Sequence, residues 1–169
     1  MINKKNVTII VPPVVTHNLD PHTGIPFLPH MAGYLAAKIN HLGHNLDVID
    51  CFGIDSKKIT KHGEFTILGI NEEDTVKKIK DDTEICFIYC KIIEDLFAVE
   101  LLLDKIRSTK NNIKICLFEN IQTTNSFSLK KISDYLFGKG CDYILLGEPE
   151  HKIENLLNSL DDPNKLKNI

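Results

Sequence analysis

Several patterns that mark common classes of protein are missing from this chain of 169 residues. No apolar run approaches the roughly 20 residues that a membrane-spanning helix needs. The net charge of -3 provides neither the basic surface of a nucleic-acid-binding protein nor a polybasic patch for a membrane. The start of the chain also lacks a signal-peptide pattern, so we expect a cytoplasmic protein that binds neither nucleic acid nor membrane.

Nucleotide-binding motifs are absent as well. No G-x-G-x-x-G follows the first apolar run and no G-x-x-x-x-G-K-[ST] occurs, which disfavours a dinucleotide and a P-loop nucleotide. A flavodoxin phosphate loop would be rich in Thr, Ser and Gly, whereas Pro12 and Pro13 have no N–H to offer a phosphate. A phosphoreceiver domain needs an acidic pair there and an aspartate at the end of the third apolar run, where this chain has Cys90.

The five cysteines form no C-x-x-C pair, and most of them lie in or beside apolar runs. This pattern supports neither a zinc site nor a disulfide framework, and we expect buried free thiols. The sequence also has no Ser/His/Asp or Cys/His signature of a hydrolase. We therefore expect that the chain alone is not catalytic.

Apolar runs alternate with helical patterns five times along the chain. The predicted strands cover residues 6–11, 45–51, 84–90, 113–119 and 141–148, and a helical pattern follows each of them. Strands that are apolar almost throughout are typical of a sheet covered by helices on both faces. We predict an α/β, flavodoxin-like (Rossmann-like) fold, with a doubly wound, five-stranded parallel sheet in the order 2-1-3-4-5. Residues 1–169 form one domain, with a core at about 5–160 and a polar tail at 161–169.

Local signals predict several details between the strands. A helix over residues 71–82 begins at an Asn71 cap, and Ser126 caps a later helix. The long helix that follows the third strand has Ile93 among its inward-facing residues. Residues 52–70 form a surface loop with a short extended piece at 65–68.

The stretch VPPVVTHNLDPHTGIPFLPH, residues 11–30, holds five of the seven prolines and three of the seven histidines. Long connections are usually functional or disordered, and prolines stiffen the backbone. We predict that residues 12–28 form a preshaped wall, without regular structure, at the carboxyl ends of the strands, where open α/β sheets bind ligands. The alternative is a cover that merely packs on the sheet edge. The candidate surface also includes residues 90–94, 119–126 and 147–150.

Three short patterns occur in order along the chain, and they are Pro12-Pro13, Gly43-His44 and Gly147-Glu148-x-Glu150. The segments that contain them, VPPVVTHNLDPHTGIPFLPHMAGYLAAKINHLGHNLDVIDCFG and GCDYILLGEPEHKIENLL, resemble the N-terminal cobalamin-binding domain of radical S-adenosylmethionine (radical SAM) enzymes. The resemblance covers roughly residues 5–160. It implies a flavodoxin-like domain that holds a corrinoid at the carboxyl edge of its sheet, with the nucleotide tail drawn into the fold and the corrin ring over the loops.

The resemblance also implies a set of cofactor-binding residues in four connections. They are Val15, Thr16, His17, Asn18, Asp20, His22, Thr23, Gly24, Cys90, Lys91, Glu119, Asn120, Thr123, Thr124, Gly147 and Glu148. Corrinoid domains of the methionine synthase type use D-x-H-x-x-G with a cobalt-ligating histidine, and DPHTG here is one residue short of that pattern. His22 is accordingly a cobalt ligand, a pocket residue or a solvent-facing loop residue.

The same resemblance implies a partner. In the family, a following barrel carries an iron–sulfur cluster on C-x-x-x-C-x-x-C, a motif that this chain lacks. We expect cobalamin and no iron–sulfur cluster here, and a radical SAM catalytic domain or protein in cis or in trans. A reaction of the methyltransferase type would then depend on that partner.

Two other interpretations stay open. Corrinoid domains usually have glycines after the fourth strand, and Glu119 and Asn120 stand there instead, as in a non-catalytic interaction or regulatory domain that has lost its cofactor. A metal-dependent enzyme could instead use the loop residues His17, Asp20, His22 and His30, which have side chains suited to Zn, Fe or Ni. Glu148 and Glu150 are either an acid/base pair or acids that offset the positive end of the last helix.

Overall fold

A computed structural model of the chain describes residues 3–19, 29–90, 93–119 and 128–160. These ranges contain β1 (Asn6–Val11), β2 (Val14–His17), α1 (His30–His41), β3 (Asn45–Asp50), α2 (Cys51–Ile54), β4 (Ile59–His62), β5 (Phe65–Leu68), α3 (Glu72–Lys78), β6 (Ile85–Cys90), α4 (Leu96–Thr109), β7 (Lys114–Glu119), α5 (Ser133–Gly138), β8 (Tyr143–Leu145) and α6 (Ile153–Ser159). Short 3-10 turns at Ile93–Asp95, Leu129–Ile132 and Pro149–His151 lead into α4, α5 and α6.

Five of these strands form a parallel sheet in the order β3-β1-β6-β7-β8. In the numbering of the five predicted strands this order is 2-1-3-4-5, so the predicted topology is confirmed and the fold is flavodoxin-like. β1 lies inside the sheet, where Ile9 pairs with Val48 of β3 on one side and with Phe87 of β6 on the other. The chain crosses from one side of β1 to the other between β3 and β6, which makes the carboxyl end of β1 the switch point.

Apolar side chains fill both faces of this sheet. On one face Leu35 of α1 and Leu156 of α6 pack with Ile9, Phe87 and Phe118 of the strands. The other face holds a second cluster, formed by α3, α4 and α5 on alternate strand residues, which includes Val76, Leu102, Leu103, Leu136, Ile10, Ile88 and Leu117. Burying each such side chain stabilises the folded state by about 1.5–3 kcal/mol relative to leaving it exposed. Because helices cover both faces of the sheet, apolar residues occupy successive positions along each strand.

A second, antiparallel sheet has the strand order β2-β5-β4. The prediction that residues 12–28 lack regular structure is therefore wrong for Val14–His17, which pair with Leu68–Phe65 of β5. The extended piece at 65–68 is confirmed as β5, but the rest of 52–70 is more regular than predicted, because it contains α2 and β4.

Local chemistry explains why this second sheet forms. Pro12 and Pro13 have no N–H to continue the β1 ladder, so the chain leaves the main sheet after Val11. Gly63, with φ 60°, lies in the two-residue turn between β4 and β5. Gly69 has φ 114°, and a Cβ there would lie 2.6 Å from the carbonyl oxygen of Cys51, so only glycine fits at the end of β5.

Some predicted element boundaries also need correction. The Asn71 cap is confirmed, since its side chain accepts a hydrogen bond from Asp74 N–H, but α3 ends at Lys78 rather than at residue 82. Ile93 is not inward-facing, because it lies in a 3-10 turn before α4 and is 58% exposed. The strand predicted over 141–148 is only Tyr143–Leu145. Ser126 lies outside the described residues, and the side chain of Ser128 accepts the Lys130 N–H at the start of the 3-10 turn.

All five cysteines are buried free thiols, as predicted. Burial raises the pKa of Cys51 and of Cys86 to about 12 in each case, so these thiols stay protonated at neutral pH. In the part of the chain that the structure describes, no helix has the length and apolar character needed to cross a membrane.

A buried histidine lies at the amino-terminal edge of the main sheet, where its parallel strands begin. His44 is 7% exposed, and its Nδ1 accepts a hydrogen bond from the Lys5 N–H at 3.2 Å. Burial and the neighbouring charges of Lys5 and Lys4 lower the pKa of His44, while the Glu84 carboxylate acts in the opposite direction. The imidazole therefore serves as a neutral acceptor in the folded chain.

We expect acid to destabilise the fold through this residue. Because the folded pKa of His44 lies below its ordinary value of 6.5, the unfolded chain binds the proton first as pH falls. The His44 contribution to the free energy of unfolding is then complete above 6.5 and is lost as pH drops through the folded pKa. Urea unfolding from about pH 8 to about pH 5 measures this loss, with the hydrogen bond worth about 1 kcal/mol.

His44→Gln should flatten that pH dependence, because the amide oxygen can still accept the Lys5 N–H and does not titrate. His41→Gln, at an exposed position of α1, is the control and should keep the wild-type profile. An unchanged pH dependence in His44→Gln would contradict the assignment.

Candidate functional site

The carboxyl edge of the parallel sheet brings part of the predicted site together. Cys90 ends β6, Glu119 ends β7, and Gly147 and Glu148 follow β8, so these residues share one edge as predicted. Eight other predicted cofactor-binding residues lie outside the described residues, namely Asp20, His22, Thr23, Gly24, Lys91, Asn120, Thr123 and Thr124.

Glu119 is the most constrained side chain at this edge. It is 6% exposed, and its carboxylate accepts hydrogen bonds from Leu129 N–H at 2.8 Å and from Gly147 N–H at 3.0 Å. The two donors belong to the connections that follow β7 and β8. Glu119 therefore joins these connections to each other, and both of its oxygens are already used inside the protein.

Cys90 and Gly147 also make their contacts inside the protein. Cys90 is 1% exposed, and burial, together with the nearby Asp95 and Glu119 carboxylates, raises the pKa of its thiol. The thiol is therefore not a nucleophile at neutral pH. Gly147 has φ 77° in the turn after β8, and its N–H is held by Glu119.

The predicted site residues of the Pro/His stretch lie in or next to the second sheet. Val15, Thr16 and His17 belong to β2, which contacts the 3-10 turn after β6 and the start of α4. Asn18 donates to Gly63 O at 2.9 Å and accepts from the Thr66 hydroxyl at 2.6 Å. These contacts fix the end of β2 on the turn between β4 and β5.

Aromatic rings attach this second sheet to the rest of the domain. Phe65 of β5 stacks on Phe97 of α4 with ring centroids 4.5 Å apart, and His62 meets Phe97 edge-on at 5.2 Å. His17 meets Phe65 edge-on at 6.1 Å, and its Nδ1 accepts from Leu19 N–H. His17 is thus part of this packing, and neither it nor His30 belongs to a group of metal-ligating side chains within the described residues.

A groove of about 520 Å³ opens at the carboxyl ends of β1 and β3, beside the first turns of α1. Its lining is mainly apolar and consists of Val11, Pro29, His30, Ala32, Gly33, Tyr34, Ala36, Val48 and Asp50. Val48 and Tyr34 are 53% and 51% exposed, which is high for side chains of this size. The groove adjoins Pro29 and His30 at the end of the Pro/His stretch, just beyond the predicted ligand surface at 12–28. Its lining includes none of the described residues predicted to bind the cofactor.

Small residues on α1 create this groove. Ala32, Gly33 and Ala36 lie where larger side chains would cover the edge strand β3, and a Cβ at Gly33 would meet no atom of the described residues within 4 Å. The apolar spacing of Met31, Leu35 and Ile39 predicts the buried side of α1 and gives no indication of these small residues. The signal that could have revealed the groove is the run of small residues on the adjacent side of the same helix.

Comparison with solved structures finds matches to proteins whose sequences are only distantly similar to this chain. A receiver domain protein (CheY-like) from Methanospirillum hungatei JF-1 superposes with a TM-score of 0.49 at 14% identity, covering 96% of this chain and 98% of that chain. A response regulator from Burkholderia multivorans gives 0.49 at 10% identity, covering 94% and 97%. A flavodoxin-like domain from Synechococcus gives 0.46 at 9% identity, covering 90% and 86%.

No protein-family model matches the chain, and no curated protein matches it either. Identities and TM-scores in this range assign no function. A function for this chain must therefore be inferred from the residues at the carboxyl edge of the sheet.

The two hydrogen bonds that Glu119 accepts from Leu129 and Gly147, called the Glu119 bridge below, lead to a stability prediction. Glu119→Ala leaves two N–H groups at this edge without their acceptor, and we expect the free energy of unfolding to fall by about 3 kcal/mol. Glu119→Gln keeps one acceptor oxygen and should cost about half as much. Urea denaturation of both variants measures the effect.

Glu154→Ala removes an exposed carboxylate of α6 that makes a surface ion pair with Lys38 at 3.6 Å, and it is the matched control, with an expected change within about 1 kcal/mol. A Glu119→Ala variant as stable as that control would show that the bridge does not hold the two connections.

Proposed function

We propose that this chain is a cobalamin-binding module that serves a radical SAM catalytic domain or protein, in cis or in trans. The observation that carries the proposal is the apolar groove at the carboxyl ends of β1 and β3, next to the switch point of the sheet. The resemblance of residues 11–53 and 140–157 to corrinoid domains supports it independently. A bound corrinoid would supply the methyl-transfer chemistry, and the protein would supply its position and surroundings.

The groove fits one part of such a cofactor. Its volume of about 520 Å³ lies within the roughly 300–1,000 Å³ of ligand pockets but is too small for a whole corrinoid. We assign it to the flat, apolar base of the nucleotide tail, with the corrin ring outside. Ala32, Gly33 and Ala36 would let that base approach the helix backbone, and Val48 would form the apolar floor.

A polar rim complements the apolar lining. His30 is the lining side chain that can carry a positive charge, and it stands at the first residue of α1. The carboxylate of Asp50 accepts the Gly53 N–H at 3.0 Å, so it is already partly neutralised by the start of α2. His30 is therefore the lining residue best suited to a phosphate of the tail.

Retention of hydroxocobalamin tests the proposal. The purified chain is mixed with hydroxocobalamin and desalted, and the visible spectrum is recorded. We expect corrinoid bands at about one equivalent in the wild type. Gly33→Leu fills the groove and should weaken binding by roughly tenfold or more, which corresponds to about 1.4 kcal/mol or more.

Gly138→Leu is the matched control. Gly138 is the last residue of α5 and, like Gly33, has no atom of the described residues within 4 Å of its Cβ position, but it is not among the residues that line the groove. It should retain corrinoid as the wild type does. Equal retention by Gly33→Leu would contradict the groove as the binding site, and a colourless wild type would contradict cobalamin binding altogether.

A second candidate function is a non-catalytic interaction or regulatory domain that has kept the fold and lost the cofactor. The engaged carboxylate of Glu119 favours it, because glycines at this place would leave room for the cofactor tail, whereas Glu119 fills the space between two connections. The hydroxocobalamin experiment separates the two candidates, since a wild-type chain that stays colourless and binds no cofactor supports the second.

A further inference from the structure

The turn after β8 gathers two carboxylates and one imidazole. Glu148 precedes the 3-10 turn Pro149–His151, and Glu150 and His151 belong to it. One ligand atom from each of Glu148, Glu150 and His151 lies within 4.8 Å of the other two. His151 Nε2 and Glu148 Oε2 are 3.1 Å apart. This grouping is local, since the tight turn brings three side chains separated by at most three positions to one side.

Glu150 provides a second and independent observation. The residue as a whole is partly exposed, but its Oε2 atom has almost no accessible surface and no hydrogen-bond partner among the described residues. A buried carboxylate oxygen without a hydrogen-bond donor is disfavoured, so such an atom favours a bound cation. Neither of the other two side chains meets this need, because Glu148 and His151 pair with each other.

We infer that Glu148, Glu150 and His151 form a binding site for one divalent first-row transition-metal ion, with Zn²⁺ preferred. Imidazole combined with carboxylate suits this class of ion, whereas Mg²⁺ and Ca²⁺ favour sets of oxygen ligands only. The inference is independent of the proposed cofactor function, because none of these three residues lines the groove beside α1.

A single ion requires the three ligand atoms to move closer together. Tetrahedral zinc with bonds of about 2.0–2.2 Å to nitrogen and oxygen places two ligand atoms about 3.3–3.6 Å apart. Because the present separations reach up to 4.8 Å, the side chains must approach one another by up to about 1–1.5 Å. Glu148 and His151 are exposed and free to make this movement. Three protein ligands leave a fourth position for water or for a group from a partner.

Zinc titration of the full, tag-free chain tests the inference. We expect isothermal titration calorimetry to show one Zn²⁺ per chain, and the melting temperature to rise with Zn²⁺ and not with equimolar Mg²⁺. Glu150→Gln and His151→Ala should each weaken binding by at least roughly tenfold, since loss of even an outer-shell partner costs about 10–100-fold in metal affinity. The five thiols are buried and do not compete in the folded chain.

Two matched variants control for surface binding. His41→Ala removes an exposed imidazole at the end of α1, and Glu154→Gln neutralises an exposed carboxylate one turn after the cluster. Both should bind Zn²⁺ as the wild type does. The inference is overturned by a wild type that binds no Zn²⁺, by equal binding in Glu150→Gln and His151→Ala, or by a response to Mg²⁺ as large as that to Zn²⁺.

Discussion

The carboxylate of Glu119 is the constraint on which the functional edge of this domain depends. A parallel sheet leaves the connections after its strands free to move independently, and here one buried side chain accepts an N–H from two of them, at Leu129 and at Gly147. Charge-assisted hydrogen bonds are stronger than neutral ones, and burial strengthens them further. The positions of α5 and of the turn before α6 therefore follow from a residue at the end of β7.

The same carboxylate separates the two functional interpretations. A cofactor tail that enters the fold near β7 would have to displace Glu119, whereas one that lies between α1 and β3 would not touch it. The groove beside α1 and the bridge at Glu119 lie at different places along the same edge of the sheet. Glu119 can therefore fill the space after β7 while the groove after β1 stays accessible. The proposed cobalamin binding would thus depend on α1 rather than on the connection after β7.

The main sheet could be predicted from the sequence because its signals are local. β1, β6 and β7 bury side chains on both faces, with Ile9, Phe87 and Phe118 on one face and Ile10, Ile88 and Leu117 on the other. Such apolar runs can be recognised one strand at a time. The second sheet could not be predicted in this way, because Val14–His17 pair with a segment about fifty residues further along the chain and all three strands are short. The two prolines do predict that β1 stops, but they do not specify what the chain pairs with afterwards. The groove could not be predicted from apolar periodicity for a related reason. It is a gap left by the small side chains of Ala32 and Gly33, and such a gap adds no periodic pattern to the sequence.

Position along the edge also connects Glu119 with the three residues proposed as metal ligands. Gly147, whose N–H is held by Glu119, directly precedes Glu148, so the bridge sets where the turn at 148–151 begins. An ion bound by Glu148 and His151 would in turn restrain the backbone that carries the Gly147 N–H. Because both restraints act on the same short segment, stabilising either one lowers the conformational entropy that the other must remove, and the two are expected to favour each other. The acidic pattern Gly-Glu-x-Glu, which the sequence offered as an acid/base pair or a neutraliser of a helix end, then has a physical role that neither interpretation supplied. With an ion bound, this pattern would make the end of the last connection rigid, at the edge where the other connections meet.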